Sequence, residues 1–511
     1  MIMHDWFEME ECDDFDSLFA GTKKIEHLIE AQNQMPSPNP QVSEPKPHQT
    51  PFSSACFQIL KCYGRFFKDR SSVITSKTDH IHARGAGGKL SVAEILKLAG
   101  ERYIQFFTQN GDGFSAFFHP YASALSGISV DDIRDVELVH LLLAAGEELS
   151  RRQYHLATGF ISRCLWTASD SGTPVQRLAF HFAEALTERI ERETGRFRGV
   201  SEERLARCRE SMALSCNPAV LASHQGLPFG QVIQFAGIQA IIERVKNARK
   251  IHLVDINIRS GIQWTILMQA LAEQHDSSPI ERIRLTAIGV AEREKMEECG
   301  KRLQSFADSL NLPFCFHTVF LSDLKDFRED LVQIEDEEVV AVLASTVLRT
   351  MIARPYCLDG LMRGIRGLRP AVMVVAEVEA NHNSPSFINR FVEALFFFGA
   401  YFDCLDDCLD RDDPCRRTIE GLHFGEGIRN MVAAEGEERF AKSVKIEVWR
   451  SYFARFAMEE MQLSDSSVCQ ANLVGKKFGN GNSCTLDSSG KGLIFGWKGT
   501  PMHSVTCWKF S

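Results

Sequence analysis

The chain has 511 residues, 44% of them hydrophobic and 24% charged, with 57 Lys+Arg against 67 Asp+Glu for a formal net charge of −10. That apolar content supplies a sizeable core and excludes a wholly disordered protein. The mild acidity excludes a generally polybasic binder but not a local basic surface. Fifteen cysteines are spread along the chain without a Cys-x-x-Cys pair, so reduced, buried thiols are expected rather than a disulfide scaffold. Acid appears at Asp5, where a secretory signal would be basic and then apolar. No apolar stretch approaches the roughly 18 residues that span a bilayer. A soluble, intracellular chain with no membrane contact is expected.

The first twenty residues set Asp5, Glu8, Glu10, Glu11, Asp13, Asp14 and Asp16 among Trp6, Phe7, Met9, Phe15, Leu18 and Phe19. Mutual repulsion keeps such a segment solvated and its aromatics uncollapsed. This is the composition of a disordered activation segment that folds onto a partner, with Trp6, Phe7, Phe15 and Phe19 as its contacts. The plainer alternative is an acidic tail. Prolines between Met35 and Pro51 make an extended linker. A dispersed basic stretch from Lys61 to Lys89 follows, and glycines at 85, 87 and 88 break the chain. Residues 1–89 are expected to be largely disordered.

Residues 90–250 read as a helical cap. Leu138, Leu142, Ala145, Leu149, Leu156 and Phe160 recur at helical spacing and predict one continuous apolar stripe. Further helices are predicted over Val175–Ile190 and Val232–Val245. Leu138, Leu141 and Leu142 also fit the Leu-x-x-Leu-Leu pattern of partner-binding helices, although their place in the stripe favours core packing. Arg244, Lys246, Arg249 and Lys250 form a small basic cluster. It is either a phosphate contact for DNA or a solvated helix end whose charge suits the helix dipole.

From Ile251 the period changes. Strands are predicted at Ile251–Ile256, Ile283–Val290, Phe314–Val319, Val339–Ala344 and Ala371–Val378. Helices are predicted at Ile262–Glu273, Glu292–Leu310 and Ser322–Val332, then from about Pro355 and Pro385. This alternation predicts an α/β fold, a doubly wound, mostly parallel sheet over residues 251–511. A C-terminal antiparallel hairpin, Leu493–Trp497 with Ser504–Trp508, is predicted to close one sheet edge. That plan is Rossmann-like, of the nucleoside-cofactor methyltransferase type, and by itself implies no activity.

Catalytic chemistry is mostly missing. A methyltransferase would bring two or three glycines to the end of the first strand. Here Asp255-Ile-Asn-Ile-Arg-Ser-Gly261 offers one, and Ile258 and Arg259 are bulky. No phosphate-binding loop, nucleophile elbow or His-Glu-x-x-His pair occurs. Cys404, Cys408, Cys415 and His423 match no standard zinc spacing and read as core sulfur. Asp255 and Arg259, with Glu377, Glu379, Asn381, His382 and Asn383, would meet at one rim of such a sheet. They form either a small-molecule crevice or a set of loop-fixing hydrogen bonds, with Asn383 or Ser384 capping a helix that begins near Pro385. No catalytic residue, metal or cofactor is assigned.

Six blocks in order resemble the plant GRAS family of transcriptional regulators. Val136-Glu-Leu-Val-His-Leu-Leu-Leu-Ala-Ala-Gly-Glu147 is similar to its first leucine-rich block. His252 and Asp255, then Gly261, Gln263 and Trp264, are similar to the central signature strand and helix. Arg284 to Leu310 resembles the second leucine-rich block. Asn381, His382, Asn383 and Pro385, with Arg390 and Glu393, resemble the next. Arg429 to Gly436 with Trp449 continues the order, and Trp497 and Trp508 close it. Thr265 and Cys507 depart mildly from the pattern, which usually has proline and alanine there. No acidic-leucine gibberellin-sensing motif occurs in the first 130 residues, which speaks against hormone-receptor gating. The resemblance implies a nuclear plant regulator with residues 90–511 as one domain. It would pair with other GRAS proteins and with DNA-binding transcription factors, and contact with promoter DNA stays open. A methyltransferase-like small-molecule binder is the alternative.

Overall fold

Lys250–Ile256 (β1) forms where an apolar, β-branched run can be buried on both faces. It pairs in parallel with Arg282–Gly289 (β2) on one side and Glu338–Ser345 (β4) on the other. Phe314–Phe320 (β3) adds to β2, and Val372–Val378 (β5) adds to β4. The structure is a computed structural model that describes residues 89–108, 128–197, 218–275, 279–290 and 293–511. The acidic aromatic segment, the proline linker and nearly all of the basic stretch lie outside the described residues.

Four antiparallel strands complete a mixed, nine-stranded sheet: Met458–Met461 (β6), Cys484–Ser489 (β7), Gly492–Trp497 (β8) and Thr500–Phe510 (β9). The order is β3-β2-β1-β4-β5-β9-β8-β7, with β6 also on β9. The expected hairpin is therefore present, but it does not close an edge. β9 lies inside the sheet between β5 and β8, and β7 takes the edge. β6 and β7 escaped prediction because Met-Glu-Glu-Met and Cys-Thr-Leu-Asp-Ser-Ser are too short and polar to announce strands.

Side-chain alternation sorts the sheet into two cores. Ile251, Leu253, Leu285, Ala287, Val374 and Ala376 face one, and Val254, Ile256, Val342, Ala344, Met373 and Val375 face the other. Pro228–Val245 (here α6), Ile262–His275 (α7) and Arg293–Ser309 (α8) cover the first. Pro355–Gly367 (α9) and Ile446–Ala454 (α13) cover the second. Each fully buried Val, Leu or Ile contributes roughly 1.5–3 kcal/mol over exposure.

The helix expected at Ser322–Val332 is absent. Two short 3-10 turns, Leu324–Asp326 and Glu329–Leu331, replace it. Asp323 turns its carboxylate onto the Lys325 N–H and pairs with Arg354 at 2.9 Å. The segment then lies so close to α9 that Cβ atoms added to Gly360 and Gly364 would sit 2.8 and 2.7 Å from the carbonyl oxygens of Lys325 and Phe327. A helix carries its backbone too far from its neighbour for that contact.

The cap holds Val92–Thr108 (α1), Val130–Ser150 (α2), Tyr154–Thr167 (α3), Pro174–Glu193 (α4) and Pro218–Gly226 (α5). Thr173 and Gln176 form a reciprocal capping box at the start of α4, with Pro174 in its first turn. The single stripe predicted from Leu138 to Phe160 is two helices, because Arg152 adopts φ 60° and turns the chain back. Leu156 consequently points outward and is 51% exposed. Phe387–Cys408 (α10), Pro414–Thr418 (α11) and Glu426–Val432 (α12) follow, and Asp465–Gly475 (α14) precedes β7. α10 joins cap to sheet, and its apolar contacts belong to the same continuous core as α1, α2 and α4.

Candidate functional site

The end of β1 is the place where a cofactor would approach a sheet of this kind. Asp255 is buried there and accepts hydrogen bonds from Gln263 Nε2 (2.9 Å) and Trp264 Nε1 (2.7 Å). Burial pushes its carboxyl up to about 6, against those two donors and the nearby Arg259. Its Oδ2, which could have accepted from a ligand, is thus engaged by donors of the chain itself. Asn257 and Gly261 both take positive φ, so the loop is tightly turned. A Cβ on Gly261 would lie 2.6 Å from Cys299 Sγ and 3.0 Å from Leu303 Cδ1, and one on Gly289 would lie 2.5 Å from the Met296 sulfur. α8 packs onto these glycines, and Ile258 is buried in the same core. Side chains occupy the position that glycines would leave open.

The proposed rim cluster does not assemble. Asp255 faces the core of Leu253, whereas Glu377 faces that of Val375, so the sheet separates them. Glu377 accepts the backbone N–H groups of Leu348 (2.7 Å) and Arg349 (3.3 Å). Glu379 accepts that of Ile446 at 3.0 Å. Burial raises both carboxyls to about 7. Glu393 accepts the Asn381 N–H at 3.4 Å. The helix after Pro385 begins at Phe387, not at Pro385, and its cap residue is Ser386, without a side-chain bond from Asn383 or Ser384. Ser384 Oγ instead accepts the Ser386 N–H at 3.3 Å. Arg390 donates to the carbonyls of Ser384 and Pro385 at 3.0 Å each and pairs with Glu435.

His252 sits at the other end of β1. Its ring meets Glu338 at 3.1 Å and Thr286 at 2.8 Å, tying β4, β1 and β2 together. Trp497 donates to Asp403 at 2.8 Å, and Trp508 donates to Thr506 at 2.8 Å while packing on Phe453. Asp403 also receives the Val92 N–H at 3.0 Å and Lys498 at 2.6 Å, so one carboxylate links cap, α10 and β8. Nothing in the sequence pattern marked it.

The leucines of the candidate partner helix face inward, in keeping with the core reading of their stripe. Leu138, Leu142, Ala145 and Leu149 are buried and Leu141 is half-buried, because α2 is enclosed by α1, α3, α4 and α10. α3 carries exposed apolar side chains: Trp166 is 94% exposed, and Leu156 and Leu165 are exposed at other points along it. In the basic cluster, Arg244, Lys246 and Arg249 are exposed and Lys250 is half-buried. Arg249 pairs with Glu281 at 2.6 Å, and Lys250 lies 3.8 Å from Glu337. Cys404 and Cys408 bring their sulfurs within 3.8 Å. Among the described residues no group of three or more His, Cys, Asp or Glu is arranged to hold a metal, and no helix is long and apolar enough to cross a membrane.

Comparison with known proteins gives a coherent answer. The chain is 29% identical over 379 residues to the DELLA protein RGL1 of Arabidopsis thaliana, covering 74% of this chain and 70% of that protein. It is 27% identical to the DELLA protein GAIP of Cucurbita maxima, of whose length it spans 62%. The solved structure of SCL7 from Oryza sativa matches with a TM-score of 0.62 and 26% identity, over 73% of this chain and 99% of that one. The GRAS domain family model matches residues 138–509. With that match across most of its length, the chain belongs to the GRAS family.

Proposed function

We propose that the protein is a plant nuclear transcriptional regulator that acts by pairing with a second GRAS chain and with DNA-binding factors, and that the outward face of α3 is the pairing surface. The observation that carries this reading is Trp166, a large apolar side chain left 94% exposed on a helix. Leu156, Gly159, Arg163 and Trp166 fall at helical spacing along one face. A Cβ on Gly159 would meet nothing within 4 Å, which leaves a notch for close approach of another helix. Large exposed apolar groups beside a charged rim are what a partner covers, and tryptophan is enriched among the residues that dominate such interfaces.

The filled crevice at Gly261 supports a regulator over a methyltransferase-like enzyme. We read the domain as a doubly wound sheet of the nucleotide-binding type, a reading supported by the parallel order β3-β2-β1-β4-β5, with its ligand position taken over by α8. Direct promoter contact by the basic cluster has little support, since Arg249 and Lys250 already pair with carboxylates, and we assign DNA contact to the partner. The acidic segment with Trp6, Phe7, Phe15 and Phe19 supplies the activation surface.

Sedimentation equilibrium of the full chain tests the pairing assignment. Trp166→Ala is expected to leave the unfolding midpoint unchanged and to weaken association about 30-fold, the effect of losing roughly 2 kcal/mol at an interface centre. Unchanged association removes α3 from the interface.

A further inference from the structure

The last turn of α10 ends in two thiols that touch. Cys404 and Cys408 stand one helical turn apart, and their sulfurs meet at 3.8 Å. Cys404 is fully buried, whereas Cys408 is half-buried and keeps part of its surface in solvent. α10 stops at Cys408, and Leu409 is already extended, at φ −122° and ψ 140°. No further helix holds that turn in shape, so it can tighten.

The two thiols differ in character. Cys404 donates its S–H to Cys408, which draws the Cys408 thiol below its usual range. The Gly479 N–H and the Lys498 ammonium act the same way, against burial and the Asp407 carboxylate. Burial does the opposite at Cys164, Cys299, Cys404, Cys484 and Cys507, whose thiols are all raised. The thiolate is the nucleophile in sulfur chemistry, so Cys408 is the member of the pair set to attack a reagent arriving from solvent. Cys404 stays protonated and in contact, where it can react with whatever Cys408 becomes without a path of its own to water.

The same turn holds the cap. Asp403, next to Cys404, accepts from the Val92 N–H at 3.0 Å and Trp497 Nε1 at 2.8 Å, and pairs with Lys498 at 2.6 Å. Asp407, next to Cys408, pairs with the same lysine at 2.7 Å. We propose that Cys408 and Cys404 form a modification site for hydrogen peroxide, with Cys408 the attacking thiol and Cys404 the resolving one. The Cys408 thiolate attacks one peroxide oxygen, the O–O bond breaks, and hydroxide leaves as a sulfenic acid forms. The Cys404 sulfur then displaces the sulfenic hydroxyl, which departs with the Cys404 proton as water, and the S–S bond forms. The two cysteines give up two electrons and peroxide takes them. Cβ atoms one turn apart on a helix stand about 5–6 Å from each other, farther than a disulfide spans, so closure tightens the turn. That movement shifts Asp403 and Asp407 against Lys498 and loosens the hold on Val92.

Peptide mapping of the full chain after graded hydrogen peroxide and then iodoacetamide tests this. Both cysteines lie in one tryptic peptide, Phe391–Arg411. That peptide is expected to lose two hydrogens and resist alkylation, reversibly with dithiothreitol, before the exposed Cys469 is oxidised. Exposure alone predicts the reverse order. Cys404→Ser should leave a sulfenic acid on Cys408 that dimedone traps, and Cys408→Ser should slow oxidation of the peptide roughly tenfold or more. If Cys404→Ser fails to fold, the mapping of the parent and of Cys408→Ser carries the comparison. Amide exchange in the first turn of α1 is expected to rise about tenfold in the oxidised parent. A pair still reduced when Cys469 is fully oxidised overturns the site. So does a bond from Cys408 to Cys484, whose thiol lies near enough to feel the charge of both. Unchanged exchange at α1 in a chain that does form the Cys404–Cys408 bond overturns the link to Asp403.

Discussion

Gly261 shows how one position decides between a ligand loop and a packed one. Its φ of +72° already disfavours any L side chain, and Cys299 Sγ stands 2.6 Å from where a Cβ would go. Gly261→Ala is therefore expected to cost about 2 kcal/mol or more in chemical denaturation, a strain and overpacking effect that Cys299→Ala should partly relieve. Glu377 gives a pH signature. Its buried carboxyl titrates near 7 in the fold, above its unfolded value, so the folded state holds the extra proton and stability falls as pH rises from about 4.5 to 7. Glu377→Gln removes that loss, and relative to the parent it should gain up to about 3 kcal/mol between pH 5 and pH 8. The comparison must be made against the parent at each pH, because His382 and His503, both lowered to about 3, push the parent's own curve the opposite way. Asp255, Gln263 and Trp264 were legible from sequence only as residues of the family signature, and their hydrogen bonds to one another were not. Asp403 was hidden, because its partners lie far away in sequence and it sits in no periodic pattern.

Helices and strands were legible wherever burial imposes a period. β1 to β5 follow from apolar runs, and α7 and α8 from the stripes between them. The reading failed where backbone contact outranks side-chain pattern. The stretch Ser322–Val332 reads as a helix in sequence, but the glycines of α9 draw the segment in as 3-10 turns. Gly360→Ala should expose that contact. It would raise helix propensity by up to about 1 kcal/mol, yet push a Cβ against the Lys325 carbonyl. A net loss of about 1–3 kcal/mol by urea denaturation is expected, and a net gain would show that the turns move freely. The break at Arg152 was equally hidden, since apolar spacing runs on across a reversal that a single positive φ accomplishes.

For the molecule as a whole, the helices that precede β1 and the sheet that follows share their packing. One continuous core runs from Val92 and Leu142 through Phe391 to Val374, and Asp403 fastens Val92 to Trp497. Residues 89–250 alone should lack cooperative unfolding by circular dichroism, whereas 89–511 should melt in a single transition. The position of β9 has a further consequence, for synthesis. The edge of β5 that β9 covers is complete at Val378, but its neighbour is not made until Thr500. At about 5–20 residues per second, a ribosome leaves that hydrogen-bonding edge bare for on the order of ten seconds. During that interval the nascent chain offers a template to any other unpaired strand. The half-built sheet is therefore most open to mispairing before its innermost late strand arrives.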